Sequence, residues 1–548
     1  MLLIDYTNFN FVITNITNSE NELKQLRNYS NLQFDQEKNS EYRYESFVFG
    51  YVFCKNKIFK NEKISLEDYQ YLKDNLSYCS GLFLIIYSDR EHSEVIVDPL
   101  CQYPIFYKFK QKEFLISTDL YAINNVIKCN TFDTEFLFDY LVTQSPLRNK
   151  SILKEVNSLS LNDFTRFSNK ARKFGVEFIH YSQAIDNDNS FDDSLEIFKN
   201  NLNNKISLLS QNIQDFYLSL TGGLDSRIVF SALLNNIEKE RIHTFSFGDG
   251  TSQDKLISLI LSKYYGVNIC STALFSGKSI INNCPLLFKA LVESNCFKLE
   301  GLNTYMNSKE FMYPDKAKLT GYYNIGFSPS MPMSYEKLKN SSKFSHFPLS
   351  YFTYFDYVDK YIDEYKNSPV SNALFYYSNR GRSHYATQSI MDNKRCNSFD
   401  LLYDPIILNI QKKCPYSSDI QKYAISIDVI MKFNKQLALF PYDGRKIPIY
   451  RDFCDIPIIN CFDGFKFREK DNVSLLKNVR IDADLEEFSY ITPLSYKEFI
   501  TCNEFKEFAD SIIPNFWKLF DQTNDSRSKE IMINYIIGCF TFIQISKR

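Results

Sequence analysis

"FYLSLTGGLDSRIVF", residues 216–230, is the stretch on which the reading of this chain turns. Phe216 to Leu220 is a short apolar run of the kind that fills a buried parallel strand. It breaks at Thr221-Gly222-Gly223 before Asp225 and Ser226 open a helical stretch. The chain has only 16 glycines in 548 residues, so two side by side point to a demand for bare backbone at that turn. A strand that ends in Thr-Gly-Gly and runs into a helix presents several backbone N–H groups at the positive end of the helix dipole, which is the chemistry of an anion site. Glycine lets a phosphate approach the backbone closely. Thr221 and Ser226 add hydroxyl donors, and Asp225 is placed to hold the Mg2+ that accompanies a polyphosphate. The loop has neither the G-x-x-x-x-G-K-[ST] pattern nor the G-x-G-x-x-G pattern of the common nucleotide loops.

Outward from this turn, strands alternate with helices: "FYLSL" then "RIVFSALLNN", "RIHTFSF" then "DKLISLILSKYYG", and "AKLTGYY" further on. The alternation predicts an α/β unit with a doubly wound parallel sheet, whose ligands bind at the carboxyl ends of the strands. This unit is expected over 190–548 and is mostly helical beyond about residue 330. Ser190-x-x-Asp193 has capping-box spacing ahead of Leu195, Phe198, Leu202, Ile206 and Leu209, which recur at helical intervals. Before it, the polar, Asx-rich "YSQAIDNDNSFDD" reads as a linker. Residues 1–185 read as a β-rich sandwich, from "SFVFGYVFC", "GLFLIIYSD", "SEVIVDP" and "PIFYKF" separated by turn residues.

Composition narrows the function classes. With 63 Lys and Arg against 65 Asp and Glu, interspersed, there is no basic face for nucleic acid or anionic lipid. "INYIIGCFTFIQI" is too short to span a membrane and reads as a buried terminal helix. The N-terminal "MLLIDYTNFNFVIT" lacks the basic flank and cleavage site of a secretory signal. The 13 cysteines show no zinc spacing and suit a reduced cytoplasm as buried thiols.

"LSLTGGLDSR" resembles the SGGxDS pyrophosphate loop of the ATP pyrophosphatases, and its setting resembles the asparagine synthetase family, with Thr221 in place of the first Ser. The resemblance implies that Leu218, Ser219, Thr221, Gly222, Gly223, Asp225 and Ser226 bind ATP and its pyrophosphate, with Asp225 on Mg2+. "HTFSFGDGTSQDKLISLILSKYYGVN" looks like the family's second strand and helix, which implies Ser246 and Phe247 beside adenine and Asp254 at the helix start. Gly321 in "LTGYYNIGFSP" falls at the third-strand turn. "FDLLYDPIIL" is similar to the PFLD segment, and "IQKYAIS" to the stretch whose lysine lies beside the acyl-adenylate, which makes Lys422 the catalytic candidate. In the first 185 residues "GLFLIIYSD", "DPLCQYPIFY", "FLISTDLYAI" and "SILKEVNSLSLNDFTRF" look like segments of the family's glutaminase-like, Ntn-type domain.

Three departures shape the expectation. Residue 2 is Leu where the glutaminase domain has its catalytic Cys, and no NGE-like segment appears near Gly50, so glutamine hydrolysis is not expected. Ile325 stands where the family has a metal-binding Asp, and Asn397 stands near the place of the Glu that precedes PFLD. The branch that lacks the cysteine contains the β-lactam synthetases and lasso-peptide cyclases. The implied activity is an ATP-dependent, AMP-forming amide ligase using Mg2+, acting in the cytoplasm on a small-molecule, peptide or saccharide carboxylate and an amine. A biosynthetic partner protein fits the same expectation. The alternative is a catalytically degenerate protein that keeps the synthetase fold as a nucleotide-binding or scaffold partner. Tyr322, Tyr323 and Phe327 are candidates either for selecting substrate or for packing the sheet.

Overall fold

The protein is described from a computed structural model over residues 2–5, 10–14, 45–89, 92–110, 113–129, 131–143, 145–160, 175–179, 189–246, 253–270, 290–296, 299, 313–323, 376–416, 418–440, 502–523 and 526–547. Most of the expected linker, residues 181–188, lies outside these.

The β-rich reading of the first part holds. Strands β1 (Leu2–Asp5), β2 (Asn10–Thr14), β8 (Phe106–Lys110), β9 (Glu113–Ser117) and β10 (Asn157–Ser158) form one antiparallel sheet in the order β1-β2-β9-β8-β10. A second sheet runs β11-β7-β6-β3-β4, from β3 (Glu45–Cys54), β4 (Lys57–Lys63), β6 (Phe83–Ser88), β7 (His92–Val97) and β11 (Gly175–Ile179). Its β11/β7 pair is parallel and its other neighbours are antiparallel, while the short β5 (Cys79–Ser80) pairs with the end of β3. Alternation along β3 shows how the sheets stack. Phe47, Phe49, Tyr51 and Phe53 enter the core that also holds Ile13 and Ile116 of the first sheet, whereas Val48, Val52 and Cys54 face the opposite way onto Tyr69 and Leu72 of helix Leu66–Asp74. The outer side of the first sheet is covered by helices Leu120–Ile127, Thr134–Thr143 and Ser526–Lys547. The rings of Tyr121 and Phe542 stack there at 3.9 Å. Among the described residues no helix is long and apolar enough to cross a membrane.

The parallel sheet is built from β12 (Asp215–Ser219), β13 (Ile242–Phe245), β14 (Asn268–Ile269), β15 (Lys316–Thr320) and β16 (Ser398–Asp400), in the order β14-β13-β12-β15-β16, every pair parallel. The chain steps outward from β12 to β14, then returns to the other side of β12 for β15 and β16. The strand order therefore reverses between β12 and β15, the switch point whose crevice takes the ligand in sheets of this kind. Helix Phe191–Ser210 precedes the sheet and starts with the capping box the sequence predicts, Ser190 Oγ accepting from Asp193 N while the Asp193 carboxylate accepts from Ser190 N.

A buried polar seam joins the antiparallel layers to the carboxyl edge of the parallel sheet. Asp98, in the Asp-Pro turn after β7, accepts the amides of Leu100, Gln102 and Tyr103 at 3.3, 3.0 and 2.9 Å and the Tyr403 hydroxyl. Gln102 donates to the Tyr377 carbonyl at 2.8 Å and accepts from the Tyr323 hydroxyl at 3.1 Å. The amide of Asp400 donates to the Tyr51 hydroxyl at 2.8 Å. Beside the seam, Lys205 forms a buried ion pair with Asp404 at 3.0 Å and donates to the carbonyls of Leu401 and Tyr403, holding the turn after β16.

Burial pushes the carboxyl pKa of Asp98 up to about 6 and that of Asp400 up to about 7, against hydrogen bonds that favour the charged form. Because these folded-state values exceed the unfolded 3.8, the folded chain binds more protons than the unfolded chain between pH 3.8 and about 7, and stability falls as pH rises through that window. The Asp400→Asn variant should gain thermal stability relative to the wild type as pH goes from about 5 to about 8. Melting curves of both proteins across that range check this, and a Tm difference that stays constant with pH would contradict it.

Candidate functional site

The glycine turn sits in the crevice between β12 and β15. Leu218 and Ser219 end β12, Leu220 N donates to the Phe245 carbonyl at 2.9 Å, and helix Leu224–Asn236 starts with Gly223 as N-cap. A glycine cap has no side chain to take the first-turn amides. The turn is closed by hydroxyls instead. Thr221 N donates to Ser226 Oγ at 3.1 Å, the two hydroxyls lie 3.0 Å apart, and Gly223 N donates to Thr221 Oγ1 at 3.1 Å.

Asp254 supplies the remaining contact. Its Oδ1 accepts the Gly222 N–H at 2.9 Å, so a carboxylate of the helix after β13 occupies an amide of the loop. A Cβ on Gly222 would come within 2.9 Å of that oxygen and of Ile257 Cδ1. Any side chain there has to displace the ends of these two. Gly321 is under a stricter constraint from the other wall, since its Cβ would lie 3.0 Å from backbone atoms of Asp225 and Ser226. The turn after β15 is thus pressed against the first turn of helix Leu224–Asn236. It is fixed from behind by Asp400, whose Oδ2 accepts the Tyr322 N–H at 2.8 Å.

Most of the sequence-predicted residues come together. Leu218, Ser219, Thr221, Gly222, Gly223, Asp225, Ser226 and Gly321 gather at the carboxyl ends of β12 and β15, and Ser246 follows β13 beside Leu220. Asp225 lies in the first helical turn, where its charge adds to burial in raising the Tyr377 hydroxyl pKa. Phe247 lies outside the described residues. So do Ile325 and Phe327. The backbone of Lys422 belongs to helix Ser418–Phe433, which packs on helix Leu224–Asn236, but its side chain also lies outside the described residues. Tyr323 is fully buried and its ring lies 4.7 Å from that of Tyr403, so of the two roles left open for it the structure gives packing. Asn397 is engaged structurally, accepting from Lys60 Nζ at 2.7 Å and donating to the Pro314 carbonyl at 2.8 Å.

Three residues of the site make contacts that the sequence does not show. Arg227 is wholly buried, donating to the Gly222 carbonyl at 3.3 Å and to the Phe440 carbonyl at 2.9 Å, and so ties the loop to a segment more than two hundred residues away. Its only signal was a charged residue directly after the motif in an otherwise apolar helix face. Asp254 is expected at a helix start, and its contact with Gly222 needs the β12/β13 pairing to exist. Asp400 was seen only as part of "FDLLYD"; its burial beside the Gly321 turn follows from β15/β16 pairing, in which Thr320 stands opposite Asp400.

No protein-family model matches the chain, and no curated protein matches it.

Arg227 should be the stabilising pin of the loop. Arg227→Ala leaves two buried carbonyls without their charged donor and should lower the unfolding free energy by about 1.5–3 kcal/mol. Arg227→Lys should recover only part, since one ammonium cannot reproduce the planar fork. Urea denaturation of the three proteins checks both expectations.

Proposed function

We propose that the crevice binds ATP through its pyrophosphate and that the protein is an ATP-dependent, AMP-forming amide ligase of the asparagine-synthetase type. The observation that carries this reading is the position of the Thr221–Ser226 turn at the point where the strand order of the parallel sheet reverses, with Gly222 and Gly321 where neighbouring segments approach closely. Amides of the loop and the Thr221 and Ser226 hydroxyls are the donors for the departing pyrophosphate, at the positive end of helix Leu224–Asn236.

The chemistry runs in two steps. A substrate carboxylate oxygen attacks the α-phosphorus of ATP and pyrophosphate leaves, giving an acyl-adenylate. An amine then attacks the acyl carbon, loses its proton, and expels AMP. Lys422, on the helix packed against the loop helix, is the candidate to stabilise the oxygens that gain charge in both steps. Magnesium ion, when bound with the nucleotide, supplies charge neutralisation on the phosphate oxygens. Asp225, in the first turn, and Asp254, already on the loop amide, are the carboxylates that fit it. Among the described residues no cluster of three or more His, Cys, Asp or Glu is placed to hold a metal ion, so the ion would rest on these acids together with phosphate and water. The substrate is a small-molecule, peptide or saccharide carboxylate, the amine comes from the substrate or from free ammonia, and the setting is cytoplasmic. The antiparallel layers correspond in this reading to the glutaminase-like domain.

A second reading has its own observation. The amides of Thr221, Gly222 and Gly223 are already satisfied by Ser226, Asp254 and Thr221, which is also what a purely structural turn requires. In that case the protein is a degenerate synthetase that serves as a nucleotide-binding or scaffold partner.

Calorimetric titration with Mg-ATP separates the two. The ligase reading expects metal-dependent binding that is lost in Asp225→Ala, with AMP and pyrophosphate released from a pool of carboxylates and abolished in Lys422→Ala. Absence of nucleotide binding to the wild type would remove the ligase reading. A further expectation concerns Asp254, whose negative charge stands where an anion would approach. Pyrophosphate without metal should bind Asp254→Ala about tenfold more tightly than the wild type, the order expected for removing a charge about 4 Å from the ligand in a half-exposed site. Equal affinities by the same calorimetry would show that the carboxylate leaves the loop at no electrostatic cost.

A further inference from the structure

We infer that Cys54 and Cys79 form a redox-reactive dithiol, a modification site that hydrogen peroxide converts into a cross-strand disulfide. The inference is independent of nucleotide binding, because the pair lies on the second antiparallel sheet, away from the glycine turn. In the β3/β5 ladder the two residues stand directly opposite each other. Opposed residues of antiparallel strands have Cα atoms about 4.5–5.5 Å apart, inside the roughly 4.4–6.8 Å that a disulfide spans. Both thiols are free and both donate to the same acceptor, the Asn75 carbonyl, at 3.7 and 3.5 Å. The two sulfurs are therefore already gathered where a bond between them needs no strand movement.

Their environments differ in a way that assigns roles. The Cys54 thiol is held below its ordinary pKa, first by the Cys79 sulfur beside it, and further by Tyr71 and the charges of Lys55 and Lys57. The same neighbour and burial push the Cys79 thiol up. Cys54 is the attacking sulfur and Cys79 the resolving one. A second pair makes the contrast. Cys296 and Cys539 are also close enough to interact, yet burial in the apolar core drives both thiols well above their ordinary range, which makes them inert. Access to the reactive pair is through the end of the sheet. The strand β5 is two residues long, follows a single 3-10 turn at Leu76–Tyr78, and forms with that turn part of the wall of a cavity of about 810 Å3. Opening so short an edge admits a small oxidant at little cost.

The chemistry balances. Cys54 thiolate attacks one peroxide oxygen, the O–O bond breaks, and hydroxide leaves to take up the Cys54 proton as water, giving a sulfenic acid. The Cys79 sulfur then attacks Cys54 Sγ, the S–O bond breaks, and the departing hydroxide takes the Cys79 proton as a second water. Two thiols and one peroxide thus give one disulfide and two waters.

The test uses the full chain treated with hydrogen peroxide, alkylated in denaturant and mapped by peptide mass. The expected result is a Cys54–Cys79 linked peptide that accumulates while Cys296 and Cys539 still alkylate as thiols. In Cys79→Ser a dimedone-reactive sulfenic acid should persist on Cys54, and in Cys54→Ser the Cys79 thiol should survive. The wild-type map decides the matter even where a variant fails to fold. Cys54 and Cys79 that both alkylate fully after the exposed Cys502 has been oxidised would overturn the inference.

Discussion

The approach of the β15 turn to the first turn of helix Leu224–Asn236 is the contact on which the site depends. At Gly321 the two backbones come so close that a Cβ would sit 3.0 Å from three backbone atoms of Asp225 and Ser226 and force one of them to give way. Such proximity lasts only if both partners are held from behind. On one side Asp400 takes the Tyr322 amide while its own amide reaches Tyr51, and on the other Arg227 pins the Gly222 carbonyl. The carboxylate of Asp400 is wholly buried, and its amide, hydroxyl and carbonyl neighbours are what make that burial tolerable. The antiparallel layers therefore act on the crevice through polar contacts as much as through the shared apolar core.

That arrangement gives the glycine turn its own internal partners. Bare backbone is entropically costly to fix and exposes its amides. Here Thr221 and Ser226 close the turn on itself, and Asp254 brings a negative charge to the amide that points toward the crevice. Two carboxylates, Asp225 and Asp254, stand beside the amides and hydroxyls of the turn, and for the nucleotide proposed above this local balance of charge makes a divalent cation the natural companion.

The elements nearest the motif were legible because their local chemistry and their tertiary role agree. The apolar run before Thr221, the capping box at Ser190 and Asp193, and the alternating strands of the first part each carry a periodic signal that survives into the structure. Strands β14 and β16 were not legible, since two and three residues hold no period and become strands only by pairing with a neighbour already in place. The same limit hid Arg227 and Asp400. A buried charge looks like any surface charge until the carbonyls and amides that receive it are brought from distant parts of the chain.

By itself, then, the sequence determined that a parallel α/β sheet follows a β-rich segment and that one turn of it, Thr221 to Ser226, leaves its backbone bare at a strand's carboxyl end. These are consequences of short-range periodicity and of the conformations that glycine permits. The tertiary structure alone decided what surrounds that turn: which carboxylate takes its amide, which arginine holds its carbonyl, and which glycine faces it across the crevice. Asp254 and Gly321 lie tens of residues from the turn and reach it only through the pairing of β12 with β13 and β15, while Arg227, its neighbour in the chain, is held by the distant Phe440 carbonyl.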